Sequence, residues 1–382
     1  MELLTFIFFL MLFLIFHSYF GYPVSLLLIE RVIKKKEKIA EPEHFEPNVS
    51  YIISVHNEEN RIIEKLENTL KLDYKKEKLE CVVVSDGSTD KTNEYVKKYE
   101  KHGIKLLETH KRSGKENAQK EAIGIVNGDI VVFSDVATIL DRNGITEIIS
   151  SFRDRSVGCV SSEDVILDQD NNPSGEGIYI KYEMWLRNIE SRVNSLVGLS
   201  GSFFAARKEV LKDFSGDMQS DFKTLLNSIK LGLRGISNPK ARGYYKSIAD
   251  EKKEYERKVR TVLRGITVFF NHLELLNPRR YGFFSYQFLC HKFLRWMIPW
   301  FAVILLLINI PLLFSGYFFK LTIILQLFFY VAALIGHKFE KLNSIILIKI
   351  PYFFSLANFA ILHAWIKFFK GEQIVMWTPS KR

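Results

Sequence analysis

Three short apolar runs in the first third of the chain each end in polar residues, and this repeated arrangement limits the fold more than any other feature. The three ends read Ser54-Val55-His56-Asn57-Glu58, Ser85-Asp86-Gly87-Ser88-Thr89-Asp90 and Val131-Val132-Phe133-Ser134-Asp135. In an open α/β sheet, ligands bind beyond the carboxyl ends of the strands. The three ends therefore predict one side of a single pocket.

The segments around these runs alternate between two hydrophobic periods. Runs rich in β-formers occupy 49–55, 80–84, 104–107 and 130–133, and segments with helical periodicity lie between them at 58–71, 90–101 and 115–127. This alternation predicts right-handed β-α-β units and a mostly parallel sheet. A further strand at 157–160, a helix at about 176–196 and a strand at 243–245 are expected to complete an α/β domain.

Apolar segments long enough to cross a bilayer flank this domain, at 3–29 and over most of 297–366. The first lacks a small-residue cleavage site and exceeds a signal-peptide core, so we expect it to be retained. The predicted organisation is a transmembrane anchor (1–36), a linker (37–48), the α/β domain (49–278), an amphipathic interfacial helix (279–296), a transmembrane region (297–370) and a polar tail (371–382).

The charge distribution indicates a membrane-bound protein with its α/β domain in the cytosol. The net charge is +10, and much of the Lys and Arg flanks the apolar segments, so anionic lipid head groups are expected partners. The basic cluster at 31–36 should remain cytoplasmic by the positive-inside rule. No nucleic-acid recognition module is visible, so no nucleic-acid partner is expected. Cys81, Cys159 and Cys290 are widely separated, which fits a reducing compartment without structural disulfides.

Four positions carry candidate chemistry, and each has a local alternative. Asp86 can accept a hydrogen bond from a nucleobase, or form a tight turn with Asp90 as a helix cap. Asp135 can hold a hard divalent cation that bridges two phosphates, or cap a helix. Lys115 opens a helix after a glycine turn in Lys111-Arg112-Ser113-Gly114-Lys115, which suits phosphate oxygens or a solvated basic turn. Asp221 can act as a general base or cap the helix at 222–232.

The order of these motifs resembles membrane-bound family 2 glycosyltransferases of the polysaccharide-synthase kind, which have a GT-A fold. Later segments extend the resemblance to about residue 265: Tyr182-Glu183-Met184-Trp185-Leu186-Arg187, Gly198-Leu199-Ser200-Gly201-Ser202-Phe203-Phe204-Ala205-Ala206-Arg207, Ser220-Asp221-Phe222 and Glu256-Arg257-Lys258-Val259-Arg260. The resemblance implies a Rossmann-like, mostly parallel sheet in a cytosolic domain between N-terminal and C-terminal transmembrane helices.

The resemblance also implies roles for individual residues. The nucleotide-sugar would be bound by His56, Glu58, Asp86, Arg112, Lys115 and Asp135, with Asp86 on the nucleobase. Asp135 would also bind the divalent cation, Mg²⁺ or Mn²⁺, and Asp221 would be the catalytic base. Trp185, Arg257 and Arg260 would lie near the diphosphate and the acceptor.

Three motifs depart from the family pattern. The D-x-D motif reads Asp135-Val136-Ala137, and the acidic pair before the last helix reads Ser220-Asp221. The Gln and the Trp of the Q-x-x-R-W motif are both absent, since Thr261 follows Arg260. With one carboxylate missing, we expect the cation to be weakly held.

The sequence thus predicts an inverting transferase that moves a sugar from a nucleotide-sugar, with a UDP-sugar as the expected donor. The acceptor would be a hydroxyl of a lipid-linked or growing glycan at the cytoplasmic membrane face. Two alternatives remain open: a polyprenyl-phosphate sugar transferase and a catalytically inactive membrane scaffold of the same fold. A transporter is disfavoured because the apolar segments carry few charges besides Lys349.

Overall fold

The structure is a computed structural model that describes residues 1–32, 45–167, 177–246 and 250–372. Parts of the predicted basic cluster, linker and polar tail lie outside these ranges, at 33–36, 37–44 and 373–382. The chain forms two compact units, described separately below. The α/β unit contains the described residues within 26–249 and 270–285, and the apolar-helix unit contains those within 1–25, 250–269 and 286–373.

The described residues contain eight strands and fourteen α-helices. The strands are β1 (Val49–Val55), β2 (Leu79–Ser85), β3 (Ile104–Glu108), β4 (Ile130–Asp135), β5 (Ile139–Leu140), β6 (Val157–Leu167), β7 (Phe203–Arg207) and β8 (Arg234–Lys246). The helices are α1 (Glu2–Phe16), α2 (Tyr22–Val32), α3 (Ile62–Leu70), α4 (Thr92–Lys98), α5 (Lys115–Ile125), α6 (Gly144–Ser150), α7 (Gly177–Val193), α8 (Ser220–Lys230), α9 (Glu251–Phe270), α10 (Pro278–Tyr281), α11 (Phe283–Phe288), α12 (Arg295–Leu312), α13 (Tyr317–Lys338) and α14 (Ile346–Phe369).

All eight strands join one mixed sheet in the order β3-β2-β1-β4-β7-β6-β8-β5. Strands β1 to β4 pair in parallel, as the alternating pattern predicts, and β6 pairs in parallel with β8. Strand β7 runs antiparallel to both β4 and β6, and β5 runs antiparallel to β8. The parallel half therefore carries the three polar strand ends side by side.

Helices cover both faces of the sheet, which explains why the parallel strands β1, β2 and β4 are buried at nearly every position. Every residue of β1 is buried. Its alternate residues enter opposite cores: Ile53 packs with Leu66 of α3 and Ile148 of α6, whereas Ile52 packs with Ala122 of α5 and Leu225 of α8. The burial of both faces fixes the strand register, so the positions of the strand ends are fixed as well.

In the apolar-helix unit, the outer surfaces of α1, α12, α13 and α14 are rich in large apolar side chains. Among the described residues, four helical segments are long and apolar enough to cross a membrane: Glu2–Val32, Phe283–Leu312, Tyr317–Lys338 and Ile346–Phe369. Residues 283–312 are helical throughout, with a π-helical turn at Leu289–Leu294. Most of the segment predicted as an interfacial helix is therefore continuous with the span that follows.

Candidate active site

The carboxyl ends of β1, β2 and β4 lie next to one another because β1 pairs with both neighbours. Val55 of β1 is level with Ser85 of β2, and Ser54 is level with Asp135 of β4. The His56 ring, which follows β1, lies with its Nδ1 2.7 Å from the carbonyl oxygen of Asp86. These contacts bring together His56, Asp86 and Asp135 at one edge of the sheet.

The Asp86 carboxylate organises the loop that precedes α5. Its Oδ1 accepts the Ser113 N–H at 2.7 Å, and its Oδ2 accepts the Gly114 N–H at 2.9 Å. The adjacent Gly87 has a φ of +60°, and a Cβ there would lie 2.8 Å from the backbone nitrogen of Arg112, so only glycine fits. A carboxylate has about four acceptor sites, so each oxygen retains capacity for a ligand N–H.

Lys115, the first residue of α5, joins this loop to β4. Its ammonium group forms a hydrogen-bonded ion pair with Asp135 Oδ1 and donates to the Gly201 carbonyl at 3.1 Å. Burial is the largest single influence on the pKa of Lys115 and lowers it, but the attraction and hydrogen bond of Asp135, with smaller contributions from Glu116 and Asp221, together outweigh burial and raise the pKa. Lys115 is therefore a fixed positive charge beside Asp135.

Asp221 reaches the same region from α8. The helix begins at Ser220, so Asp221 lies within its first turn, and the N-cap residue Gln219 makes no side-chain capping bond. The Gln219 amide instead donates to Asp221 Oδ2 at 3.2 Å, and the side chain of Asp221 is largely buried. A Cβ built on Gly201 would lie only 3.2 Å from that oxygen. Asp221 and Lys115 thus approach the same glycine.

A second buried lysine, Lys65, contacts β4, and it was not identified from the sequence as a site residue. Lys65 of α3 is fully buried and donates to Ser134 Oγ at 2.9 Å and to the Thr138 carbonyl. Burial lowers the pKa of Lys65 to about 7, against the attraction of Asp135. The available signal was its helical position, because residue 65 shares a face with the apolar Ile62, three residues earlier.

The remaining predicted site residues occupy varied environments. Glu58 is buried, its carboxylate lies 3.6 Å from the Arg61 guanidinium, and its N–H donates to Thr92 Oγ1 at 2.8 Å. Arg112 is exposed on the loop before α5. Trp185 of α7 is 42% exposed, so it is not a core residue.

The predicted arginine pair lies on α9, whose residues up to 269 belong to the apolar-helix unit. The guanidinium of Arg257 donates to both carboxylate oxygens of Glu254, each at 2.7 Å. Arg260 lies one turn further along the same helix. The residues that the α/β unit brings together are therefore His56, Asp86, Lys115, Asp135 and Asp221.

The donor atoms around Asp135 fit a cation only in part. The described residues contain no group of three His, Cys, Asp or Glu side chains that could hold a metal ion. Lys115 already pairs with one oxygen of Asp135. A Mg²⁺ ion can be bound through one carboxylate when substrate phosphates and water supply the other ligands. Asp135 fits that arrangement with a bound diphosphate.

The fold has a counterpart among solved structures. The structure matches that of a mannosyltransferase from Pyrobaculum calidifontis with a TM-score of 0.71, over 97% of this chain and 100% of that one, at 20% identity. The predicted GT-A fold is thereby confirmed, and the candidate membrane spans lie toward both ends of the chain.

Sequence comparison finds similarity to glycosyltransferases. Residues 50–214, less than half of the chain, match the family model of glycosyl transferase family 2. The poly-β-1,6-N-acetyl-D-glucosamine synthase of Staphylococcus aureus is 29% identical over 195 residues, 49% of this chain and 46% of that protein. Its Staphylococcus epidermidis counterpart is 28% identical over 171 residues, 43% of this chain and 40% of that protein. The chain thus spans less than half the length of these relatives.

Proposed function

We propose that this protein transfers a sugar, with inversion, from a nucleotide-sugar to a hydroxyl of a lipid-linked or growing glycan at the cytoplasmic membrane face. The observation that carries the proposal is the meeting of three charged groups at Gly201. Lys115 donates to its carbonyl, Asp135 pairs with Lys115, and the Asp221 carboxylate lies beside its Cα. A base and a fixed cation so close together suit a displacement that releases a proton and a diphosphate.

In this reaction the acceptor hydroxyl oxygen forms a bond to the anomeric carbon while the bond from that carbon to the diphosphate oxygen breaks. Asp221 takes the hydroxyl proton, and the electron pair of the broken bond leaves with the diphosphate. Lys115 stands beside Asp135 to stabilise the negative charge that develops there. Asp86 holds the loop before α5 and has acceptor capacity for the nucleobase. A divalent cation bound through Asp135 would act as a Lewis acid toward the leaving diphosphate.

The comparisons support the substrate classes. The staphylococcal relatives are named for synthesis of a polymer of N-acetylglucosamine, which favours a glycan hydroxyl as acceptor and a UDP-sugar as donor. The mannosyltransferase of similar fold was solved with GDP-Man and Mn²⁺, which favours a nucleotide-sugar and a divalent cation. The four apolar helical segments support a membrane location, and the basic residues after the first of them favour a cytoplasmic α/β unit.

The test replaces the base without changing its shape. In the purified full chain, Asp221→Asn should lower turnover by about 10²-fold or more with donor affinity retained, because the amide cannot accept the proton. Transfer to a panel of glycan acceptors and donor binding by calorimetry measure the two effects. The matched control is Asp129→Asn. Asp129 directly precedes β4, at the end of the strand away from Asp135, and its Oδ2 accepts the Asn48 N–H at 3.1 Å. The turnover of this variant should stay near wild type.

Each competing function predicts a different result. A phosphate acceptor is already ionised near neutral pH, so a polyprenyl-phosphate transferase would lose much less turnover in Asp221→Asn. An inactive scaffold would show no transfer by the wild-type protein with any nucleotide-sugar. A lower melting temperature with unchanged turnover would make Asp221 a structural residue and refute its role as base.

A further inference from the structure

The loop at 198–202, between α7 and β7, connects the two charged residues of the site through its carbonyl groups. The Gly201 carbonyl accepts from Lys115 Nζ at 3.1 Å, and the Ser202 carbonyl accepts the backbone N–H of Asp135 at 3.0 Å. The carbonyls of two successive loop residues therefore set the positions of the Lys115 ammonium group and of the Asp135 backbone.

The same loop also borders the candidate base. A Cβ at Gly201 would lie 3.2 Å from Asp221 Oδ2, tighter than ordinary van der Waals contact. A displacement of this loop would thus change the spacing between Asp221, Lys115 and Asp135 together.

On its other side the loop is held by residues of β6, among them the carboxylate of Asp164. Ser200 Oγ lies 2.7 and 2.9 Å from the two oxygens of Asp164, and Ser202 Oγ donates to Asp164 Oδ1 at 2.6 Å. The two serine hydroxyls are 2.8 Å apart, and the Ser200 N–H donates to Ser161 Oγ at 2.7 Å. Asp164 thus accepts from a serine on each side of Gly201, so it anchors the loop at both flanks of that glycine.

We propose that Asp164 is a positioning residue for the transfer reaction, an inference that rests on the proposed function. It holds Ser200 and Ser202, and the loop carbonyls in turn hold Lys115 and Asp135 at the correct distance from the base. A misplacement of about 1 Å at a reacting centre can cost about 10²-fold in rate. Loss of the Asp164 anchor should therefore lower the rate although the side chain acts only through the loop.

The experiment compares Asp164→Ala with Asp164→Asn in the purified full chain. An asparagine keeps the shape and can still accept from the serine hydroxyls, so it should rescue the site if only hydrogen bonding matters. We expect kcat to fall by about 30-fold to 100-fold in Asp164→Ala and by less than about 5-fold in Asp164→Asn, with the acceptor KM nearly unchanged in both. The double variant Ser200→Ala/Ser202→Ala should match Asp164→Ala, and combining all three changes should add little.

The matched control is Asp154→Ala. Asp154 precedes the first residue of β6, whereas Asp164 lies near the last residue of that strand. Asp154 also accepts from a serine, with Ser156 Oγ at 2.6 Å, and lies 3.3 Å from Arg234. This variant should lose thermal stability with kcat near wild type. If Asp164→Ala behaves in the same way, Asp164 is only structural and the proposal is wrong. If Asp164→Asn is as impaired as Asp164→Ala, the negative charge itself is required and the positioning role is also wrong.

Calorimetric binding of UDP and GDP separates this proposal from the proposed function. Asp164→Ala should weaken the binding of whichever nucleotide the wild-type protein binds by about 10-fold, because Lys115 and Asp135 are displaced, and Asp164→Asn should not. If the wild-type protein binds nucleotide in this pattern but transfers no sugar, the proposed function fails and the positioning role stands. If transfer is normal in Asp164→Ala, only the positioning role fails. Absence of both binding and transfer in the wild-type protein overturns both.

Discussion

Replacement of the buried Lys65 by methionine should change how the stability of the protein depends on pH. Lys65 has an ordinary pKa of 10.5 in the unfolded chain, and burial lowers it to about 7 in the folded protein. Between these two values the unfolded chain binds one more proton than the folded protein, so folding stability rises with pH. The free-energy cost of burying the charged Lys65 ammonium group is therefore relieved as the pH rises from about 7, and it is absent above about pH 10.5. The resulting gain in stability is lost again as the pH falls through about 7. Lys65→Met removes this dependence.

The size of the effect follows from the pKa difference. Each pH unit between the two pKa values contributes about 1.4 kcal/mol, so a rise from about pH 7 to about pH 9.5 should stabilise the wild-type protein by about 3 kcal/mol relative to Lys65→Met. The variant also loses the hydrogen bonds of Lys65 to Ser134 and Thr138. That loss is nearly independent of pH, so it cancels when the two pH values are compared.

Thermal unfolding of the full chain in detergent, at one scan rate and both pH values, measures this difference. For a unit of about 200 residues, about 3 kcal/mol corresponds to a shift of roughly 6–12 °C in the midpoint. Lys98→Met is the control, since the Lys98 side chain is 61% exposed and pairs with Glu94 on the surface. Its midpoint should follow the wild type at both pH values. Parallel midpoints for wild type and Lys65→Met would show that Lys65 keeps its proton to high pH and would refute the reasoning.

Two further predictions concern the donor and the cation. Asp86→Ala should weaken nucleotide binding measured by calorimetry, because it removes the expected acceptor for the base and frees the Ser113 and Gly114 amides; unchanged affinity would exclude Asp86 from the site. Transfer should fall on exhaustive chelation and return with Mg²⁺ or Mn²⁺ at roughly millimolar concentration, because Asp135 is expected to be the main protein ligand. Full activity after chelation would mean that Lys115 and nearby cations suffice.

The sequence predicts the parallel half of the sheet because each of its strands is a short apolar run between helical segments. The direction of β7 could not be predicted in this way. Its apolar run indicates a buried strand, but the antiparallel direction depends on pairing with distant residues. Phe204 of β7 is level with Phe133 of β4, and their rings stack with centroids 4.7 Å apart. Only the folded chain brings these rings together.

The same distinction between local and distant information applies to the site. Asp86, Asp135 and Asp221 were found because each lies in a recognisable local setting, at a strand end or before a helix. The second role of Asp86, as acceptor for the Ser113 and Gly114 amides, depends on a contact with the loop before α5 and was not predicted. Asp164 was missed for the same reason, since its serine partners are 36 and 38 residues away.

The single carboxylate at Asp135 and the nearby Lys115 together change how the missing D-x-D residue should be understood. A second carboxylate would add negative charge that a bound cation must offset. Here the Lys115 ammonium group occupies one oxygen of Asp135 and is held in place by the Gly201 carbonyl. In the proposed reaction, neutralisation of the diphosphate is therefore divided between a fixed lysine and an exchangeable metal ion. This division requires an accurately placed loop at 198–202, because the carbonyl of Gly201 fixes the direction in which the ammonium group points.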